Sequence, residues 1–272
     1  MSTESFKYFE LDLDGDFFIE FQIHEGPVLG RGSSGEVVLA TFIKHPQYRR
    51  AVKKFPLTGA DAQGDDAEED ARVRRNFQRE VQMMKQLHHP NIMPLVAYVK
   101  TPRYLALIMP YCPKGTLAKM LTTLVPALQA RYMRQVTEAV EYLHNRNIIH
   151  GDIKPQNVLI SDDDTALLSD FGLSRAVPHR MVEMFVHFGT TTYRAPETFS
   201  DDRVNPFKTD LYSLGVTLWA IALKRKPKLD IPFVRELELA THVPLKYRSV
   251  IESLLHINPA ERPTATHVLE DM

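Results

Sequence analysis

The stretch His150-Gly151-Asp152-Ile153-Lys154-Pro155-Gln156-Asn157, followed thirteen residues after Asn157 by Asp170-Phe171-Gly172, decides how this chain is read. Two isolated carboxylates are ordinarily surface residues. An aspartate, an asparagine and an Asp-Phe-Gly triplet set this far apart are a rarer combination. Upstream of the stretch the chain reads as β-rich. Residues 28–29, 37–42 and 48–55 are short runs of β-branched and aromatic residues, with glycines between the first two and Pro56 after the third. An acidic run, 61–70, leads into a helix whose apolar positions Phe77, Val81, Met84 and Leu87 share one face. Glu68 with Arg72, and Asp70 with Arg74, are spaced for i,i+4 support, and His88-His89-Pro90-Asn91 ends the helix. Strands are predicted near 93–99 and 104–109. From Leu124 onward the pattern turns helical. Tyr132, Val136, Val140 and Leu143 recur every three or four residues, and the apolar run 211–223 reads as a helix buried within a lobe. Short strands at Val158–Ile160 and Ala166–Leu168 flank the acidic turn Asp162-Asp163-Asp164. Strands with one helix, followed mostly by helices, make an α+β chain of two lobes.

Near the N-terminus stands Gly30-Arg31-Gly32-Ser33-Ser34-Gly35-Glu36-Val37. Glycines let backbone N–H groups approach a phosphate without a Cβ in the way. Alone, the triplet equally suits a flexible hairpin turn. A dinucleotide fold would need it to open a helix, but strand-like Val37-Val38-Leu39-Ala40 follows. With Ala51-Val52-Lys53 on the third strand and Glu80 on the helix, the chain resembles a eukaryotic protein kinase, and residues 150–157 resemble that family's catalytic loop. The closing marks agree: Ala195-Pro196-Glu197, Asp210 at the head of the buried helix, and Arg262 in Asn258-Pro259-Ala260-Glu261-Arg262-Pro263.

The resemblance implies a bilobal protein-kinase-like fold with a small antiparallel β lobe carrying one helix and a larger, mainly helical lobe. Its expected bounds are residues 23–270, with an N-lobe over 23–109, a hinge at 110–113, a C-lobe over 114–270 and an N-terminal extension at 1–22. It further implies ATP and Mg2+. Lys53 would hold the phosphates and Glu80 would aim it, while the adjacent Lys54 would face the other way. Asp152 would accept or orient the substrate hydroxyl proton, and Lys154 would neutralise charge on the phosphoryl group in transfer. Asn157 and Asp170 would ligate magnesium. Leu29, Gly30, Arg31, Gly32, Ser33, Ser34, Gly35, Val37, Ala51, Lys53, Met109, Pro110, Cys112 and Leu159 would line the nucleotide site. Pro110 lacks an N–H, but only its carbonyl would be asked for. Asp210 would brace the catalytic loop, and Arg262 would fork onto Glu197.

One position departs from the family pattern. Gly151 stands where most regulated kinases carry an arginine that grips an activation-loop phosphate. Between Arg175 and Gly189 there is no Ser, Thr or Tyr, and Thr190 resembles a structural threonine that bonds the catalytic aspartate and lysine. The expectation is a Ser/Thr protein kinase that transfers the γ-phosphoryl of ATP to protein hydroxyls without mid-loop phosphorylation. The subfamily stays open. Lys154 after Asp152 resembles the Ser/Thr class, and Gln156 and Thr116 replace glutamates of arginine-directed kinases, so no strong demand for upstream arginine is expected. The alternative is an ATP-binding pseudokinase scaffold, which would keep its function in an Asp152→Asn variant.

The composition sets limits. The chain has 272 residues with a formal net charge of −1, so no global field favours nucleic acid or an anionic membrane as partner. The single cysteine, Cys112, excludes an intramolecular disulfide framework and suits a reducing, cytoplasmic or nuclear setting. No basic flank with an apolar core is seen in the first thirty residues, and no apolar run approaches the roughly 20 residues of a membrane span. The expected partner is a protein substrate, and a regulatory protein partner is left open.

Overall fold

The computed structural model describes residues 9–32, 35–59, 64–229 and 231–272. Contacts divide them into two units, one made of the described residues through His88 with Met93–Cys112, the other of His89–Ile92 with Pro113–Met272.

The first unit is a six-stranded sheet among the described residues, ordered β1-β5-β6-β4-β3-β2. Its strands are β1 (Phe9–Asp12), β2 (Ile23–Gly32), β3 (Gly35–Phe42), β4 (His45–Pro56), β5 (Ala97–Lys100) and β6 (Tyr104–Pro110). Helices α1 (Phe17–Glu20) and α2 (Asp65–Lys85) complete it. The expected hairpin and third strand are present, with β4 starting three residues earlier than predicted. The strand predicted over 93–99 begins only at Ala97. Met93 and Leu95 are buried without joining the ladder, and Pro94 between them has no N–H to give it.

The sheet is antiparallel from β2 through β5, as expected. The segment before residue 23 adds β1, which pairs with β5 in parallel at the sheet edge. Asp16 caps α1, accepting from Phe18 and Ile19 N–H, and this second helix buries Phe17 and Phe18 against Val38, Ala40, Val52 and Ile108. Of the two predicted helix pairs, the charge of Arg74 acts on Asp70 as expected, while Arg72 turns to Glu69 instead of Glu68. Arg72 forks onto Glu69, one turn away, at 2.8 and 2.6 Å. Asp70 is buried and accepts the Thr58 N–H at 2.9 Å. Helix α2 otherwise follows its pattern. Phe77, Val81 and Met84 are buried on one face, acidic residues occupy its first turn and Lys85 its last, which suits the helix dipole. Leu87 lies two residues beyond its end.

The second unit is mainly helical, with α3 (Leu117–Met120), α4 (Pro126–Asn145), α5 (Pro206–Leu223), α6 (Phe233–Leu239), α7 (Leu245–Leu254) and α8 (Ala265–Asp271). Pro126 opens α4 at a position where a missing N–H costs nothing, and Tyr132, Val136, Val140 and Leu143 are fully buried. Asn205 caps α5, whose residues 214–222 are all buried, as a nearly continuous apolar run on a core helix requires. The short strands β7 (Ile148–Ile149), β8 (Val158–Ile160), β9 (Ala166–Leu168) and β10 (Arg175–Ala176) form two antiparallel pairs, β7 with β10 and β8 with β9. Among the described residues no helix is long and apolar enough to cross a membrane.

Candidate active site

In the first unit the site centres on Lys53. Its Nζ lies 2.8 and 3.0 Å from the two carboxylate oxygens of Glu80. Both side chains are largely buried, so the pair is held without much screening. Lys54 points to the opposite face, as alternation on a strand requires. It pairs with Glu25 at 2.8 Å and lies over the rings of Phe18 and Tyr104. Across the ladder Val37 stands opposite Lys53, Ala51 opposite Met109, and Arg50 opposite Pro110. Leu29 is half-buried on β2, and Cys112 is buried at the end of the unit.

The glycine-rich stretch is a strand hairpin: Gly30 pairs with Val37, Arg31 with Glu36, and Gly32 with Gly35. Ser33 and Ser34 lie outside the described residues. The three glycines have different reasons. At Gly35 a Cβ would sit 1.9 Å from the Lys54 carbonyl oxygen, so the packing of neighbouring strands demands glycine there. At Gly30 and Gly32 a Cβ would meet nothing within 4 Å. Those two leave a bare backbone that a phosphate could approach.

In the second unit four donors converge on the Asp152 carboxylate. Oδ1 accepts from the Thr190 N–H at 2.9 Å and its hydroxyl at 2.7 Å. Oδ2 accepts from Lys154 Nζ at 2.6 Å and Asn157 Nδ2 at 3.0 Å. Lys154 also donates to the Thr190 hydroxyl. Burial, the largest single influence, pushes the Asp152 carboxyl up. The bonds from Lys154 and Thr190 together outweigh it and hold the group below the usual carboxylate range. Asn157 spends its amide N–H groups on Asp152, while among the described residues its side-chain oxygen accepts no hydrogen bond.

Asp170 has a left-handed backbone, φ 64°, and opens the turn Phe171–Leu173 with its side chain in an exposed position. Non-glycine residues seldom adopt this conformation, and it is found preferentially at functional sites. Two bonds to the Asn157 carbonyl, from the Ser169 N–H and hydroxyl, tie the residue before Asp170 to the catalytic loop. Phe171 is buried edge-on against His150. His150 is fully buried, with Nε2 3.1 Å from the Ser169 carbonyl, and so is a packed core residue. Asp210 braces the loop from α5 by accepting the His150 and Gly151 N–H groups at 2.7 and 2.9 Å.

Gly151 is shaped by its surroundings. Its φ is +82°, and a Cβ would lie 2.8 Å from Phe188 Cε2 and 3.2 Å from the Leu173 carbonyl oxygen. The Phe188 ring therefore occupies the space into which a side chain at 151 would grow, and Arg175 lies over that ring at 4.5 Å. Val182, Met184 and Phe188 pack on Ile149, Val177 and Phe207. Met184 and Val204 exchange two backbone bonds of 2.9 Å. Segment 173–190 is thus held by apolar packing and main-chain bonds. Phe188 was not singled out from the sequence. The available signal was an aromatic residue beside Gly189, in a chain whose usual loop arginine is glycine.

Each unit thus carries its own cluster, a lysine–glutamate pair on the sheet and a braced aspartate loop among the helices. The chain belongs to the protein kinase family, whose domain pattern it matches over residues 23–272. It is similar to the probable serine/threonine-protein kinase drkA of Dictyostelium discoideum, at 29% identity over 94% of this chain and 40% of that protein. It is also similar to the human hormonally up-regulated neu tumor-associated kinase, at 31% over 75% of this chain and 30% of that protein. The Aurora kinase of Eremothecium gossypii is 28% identical over 89% of this chain and 66% of that protein. The chain spans less than half the length of the first two.

Proposed function

We propose that this chain is a Ser/Thr protein kinase that transfers the γ-phosphoryl of ATP to a protein hydroxyl. The convergence of Lys154, Thr190 and Asn157 on an ionised Asp152 carries the reading. With Asp152 held as an acceptor-only carboxylate, a substrate hydroxyl that displaces one Oδ2 donor gives its proton to Asp152 as its oxygen bonds to phosphorus and ADP leaves. Lys154 is the donor best suited to yield. Its Nζ is on a flexible stem, and its charge is then available to the phosphoryl oxygens. Asn157 Oδ1 and the Asp170 carboxylate are hard oxygen ligands that would hold magnesium, which would offset the phosphate charge. Mg2+ usually takes only one or two such protein ligands. A cytoplasmic setting and little demand for upstream arginine in the substrate belong to the same proposal.

The packing of Phe188 under Gly151 supports activity without a mid-loop phosphate, because segment 173–190 already has its anchors. Gly151→Arg, which restores the common residue, is expected to be harmful. A side chain at φ +82° is strained by about 1–3 kcal/mol, and it must also displace Phe188. The variant should unfold at lower temperature and be cut faster by protease within 178–187. Wild-type stability and activity in Gly151→Arg would sink this account of the segment.

The test of the whole reading is transfer from labelled ATP with magnesium to a generic protein substrate, using phosphatase-treated protein made in bacteria. Activity that disappears in Lys53→Met is expected. No transfer from folded protein that still binds ATP would favour a scaffold.

A further inference from the structure

We propose that Glu10 is a positioning residue for phosphoryl transfer, acting through Tyr98 and Lys85 on helix α2, which carries Glu80. The proposal rests on the kinase reading of the Lys53–Glu80 pair. Strand β1 sets Glu10 opposite Tyr98 in parallel register. Tyr98 faces α2: its ring packs against Phe77, and Lys85 Nζ lies 4.4 Å above it. The Tyr98 hydroxyl accepts from Lys85 Nζ at 2.9 Å and donates to the Glu10 carboxylate. Glu10 is fixed in turn by Lys100 at 2.6 Å. A neutral hydroxyl is thus strung between a cation and an anion, and each charge-assisted bond strengthens the other.

The location of this chain of bonds gives it its effect. Helix α2 has Gly64 at its N-cap and no side-chain cap there. Near its start it is tied to the loop after β4 by Asp70 and the Thr58 N–H. At its last turn it is tied to the sheet edge by Lys85. Glu80 lies between the two ties, five residues before Lys85, about 7.5 Å along the helix. If the second tie is lost, the last turns of α2 keep their buried Val81, Met83 and Met84 but lose their polar fixing at the sheet edge, and the 2.8 Å approach of Glu80 to Lys53 loosens with it. The burial of Phe17 and Phe18 anchors the N-terminal segment on the opposite sheet face, so removing the Glu10 carboxylate need not release the segment.

The experiment compares Glu10→Ala and Tyr98→Phe in the full chain, by amide hydrogen exchange and by steady-state kinetics. Both are expected to exchange α2 amides 78–85 about fivefold faster or more, the factor one ordinary hydrogen bond supplies. Amides of α4 should be unchanged. In both, kcat at saturating ATP should fall about as much, and the double variant should be no worse than the poorer single one, since a single chain is broken. Glu10→Gln, which keeps an acceptor oxygen, should retain most of the activity. Unchanged α2 protection in both variants would overturn the proposal, as would losses that multiply in the double variant. Tyr98→Phe removes one oxygen atom and keeps the test open should Glu10→Ala fold poorly. If the wild-type chain transfers no phosphate, the kinase reading fails while the exchange result still decides the tether.

Discussion

Asp152→Asn is expected to lower phosphoryl transfer by about 10³-fold, within the range that general acid–base groups supply. The change is nearly isosteric but not electronically neutral. All four of its neighbours are donors: the Thr190 N–H and hydroxyl, Lys154 Nζ and Asn157 Nδ2. A carboxamide accepts on one atom only. If its oxygen faces Thr190, its NH₂ faces Lys154 and Asn157, and two donor–donor contacts replace two bonds. The local cost should be on the order of 1–3 kcal/mol, visible as a lower unfolding temperature. The sign of its pH dependence follows from the depressed carboxyl. The stabilisation by Asp152 is complete above the unfolded value, about pH 4, and is lost as pH falls through the lower folded value. The stability gap between wild type and variant should therefore close on acidification. A variant that keeps a tenth of the wild-type rate would refute the assignment of Asp152.

The largest loss of stability is expected from Arg262→Leu. The guanidinium is fully enclosed, and every one of its N–H groups is used. Nη1 and Nη2 fork onto Glu197 at 2.6 and 2.8 Å. The remaining bonds go to the carbonyls of His256, Lys208 and Ile257. Leucine would leave the Glu197 carboxylate without its counter-charge and take one donor from each of three carbonyls. Breaking a buried pair from one side costs about 3–5 kcal/mol, and the unfolding temperature should fall on the order of 10 °C for a chain of this size. Arg262→Lys should lie between, because an ammonium has three N–H groups and no fork. Thermal unfolding of the three proteins decides the matter, and a loss below about 1 kcal/mol for leucine would mean that the pair is dispensable.

Local pattern explains part of what the sequence revealed. The α4 stripe and the β8–β9 hairpin rest on periodicity or on residues near one another, whereas the catalytic-loop roles and the Lys53–Glu80 pair, 27 residues apart, are legible only through the resemblance to a known family. The parts that escaped notice depend on distant partners. Phe9-Glu10-Leu11-Asp12 is too short and too acidic to read as a strand, and its partner β5 lies 88 residues away. Asp70 sits among surface acids in the sequence, yet the Thr58 N–H draws it inward. Met93 and Leu95 alternate like a strand because they are buried, not because they are paired. Phe188 gains its role only from the backbone angle at Gly151, which no pattern of residue types displays.

Strand β1 also has a consequence for handling the protein. Without it the sheet would end at β5, Ala97-Tyr98-Val99-Lys100, whose first three residues are buried in the intact unit. An open edge of that composition is a template for pairing with other chains. The strand that covers it is only four residues long and bears Glu10 and Asp12, two features that discourage further strands from adding. A fragment begun at residue 23, where the family pattern starts, would lose this cover together with Phe17 and Phe18. Such a fragment should be markedly less soluble than the full chain.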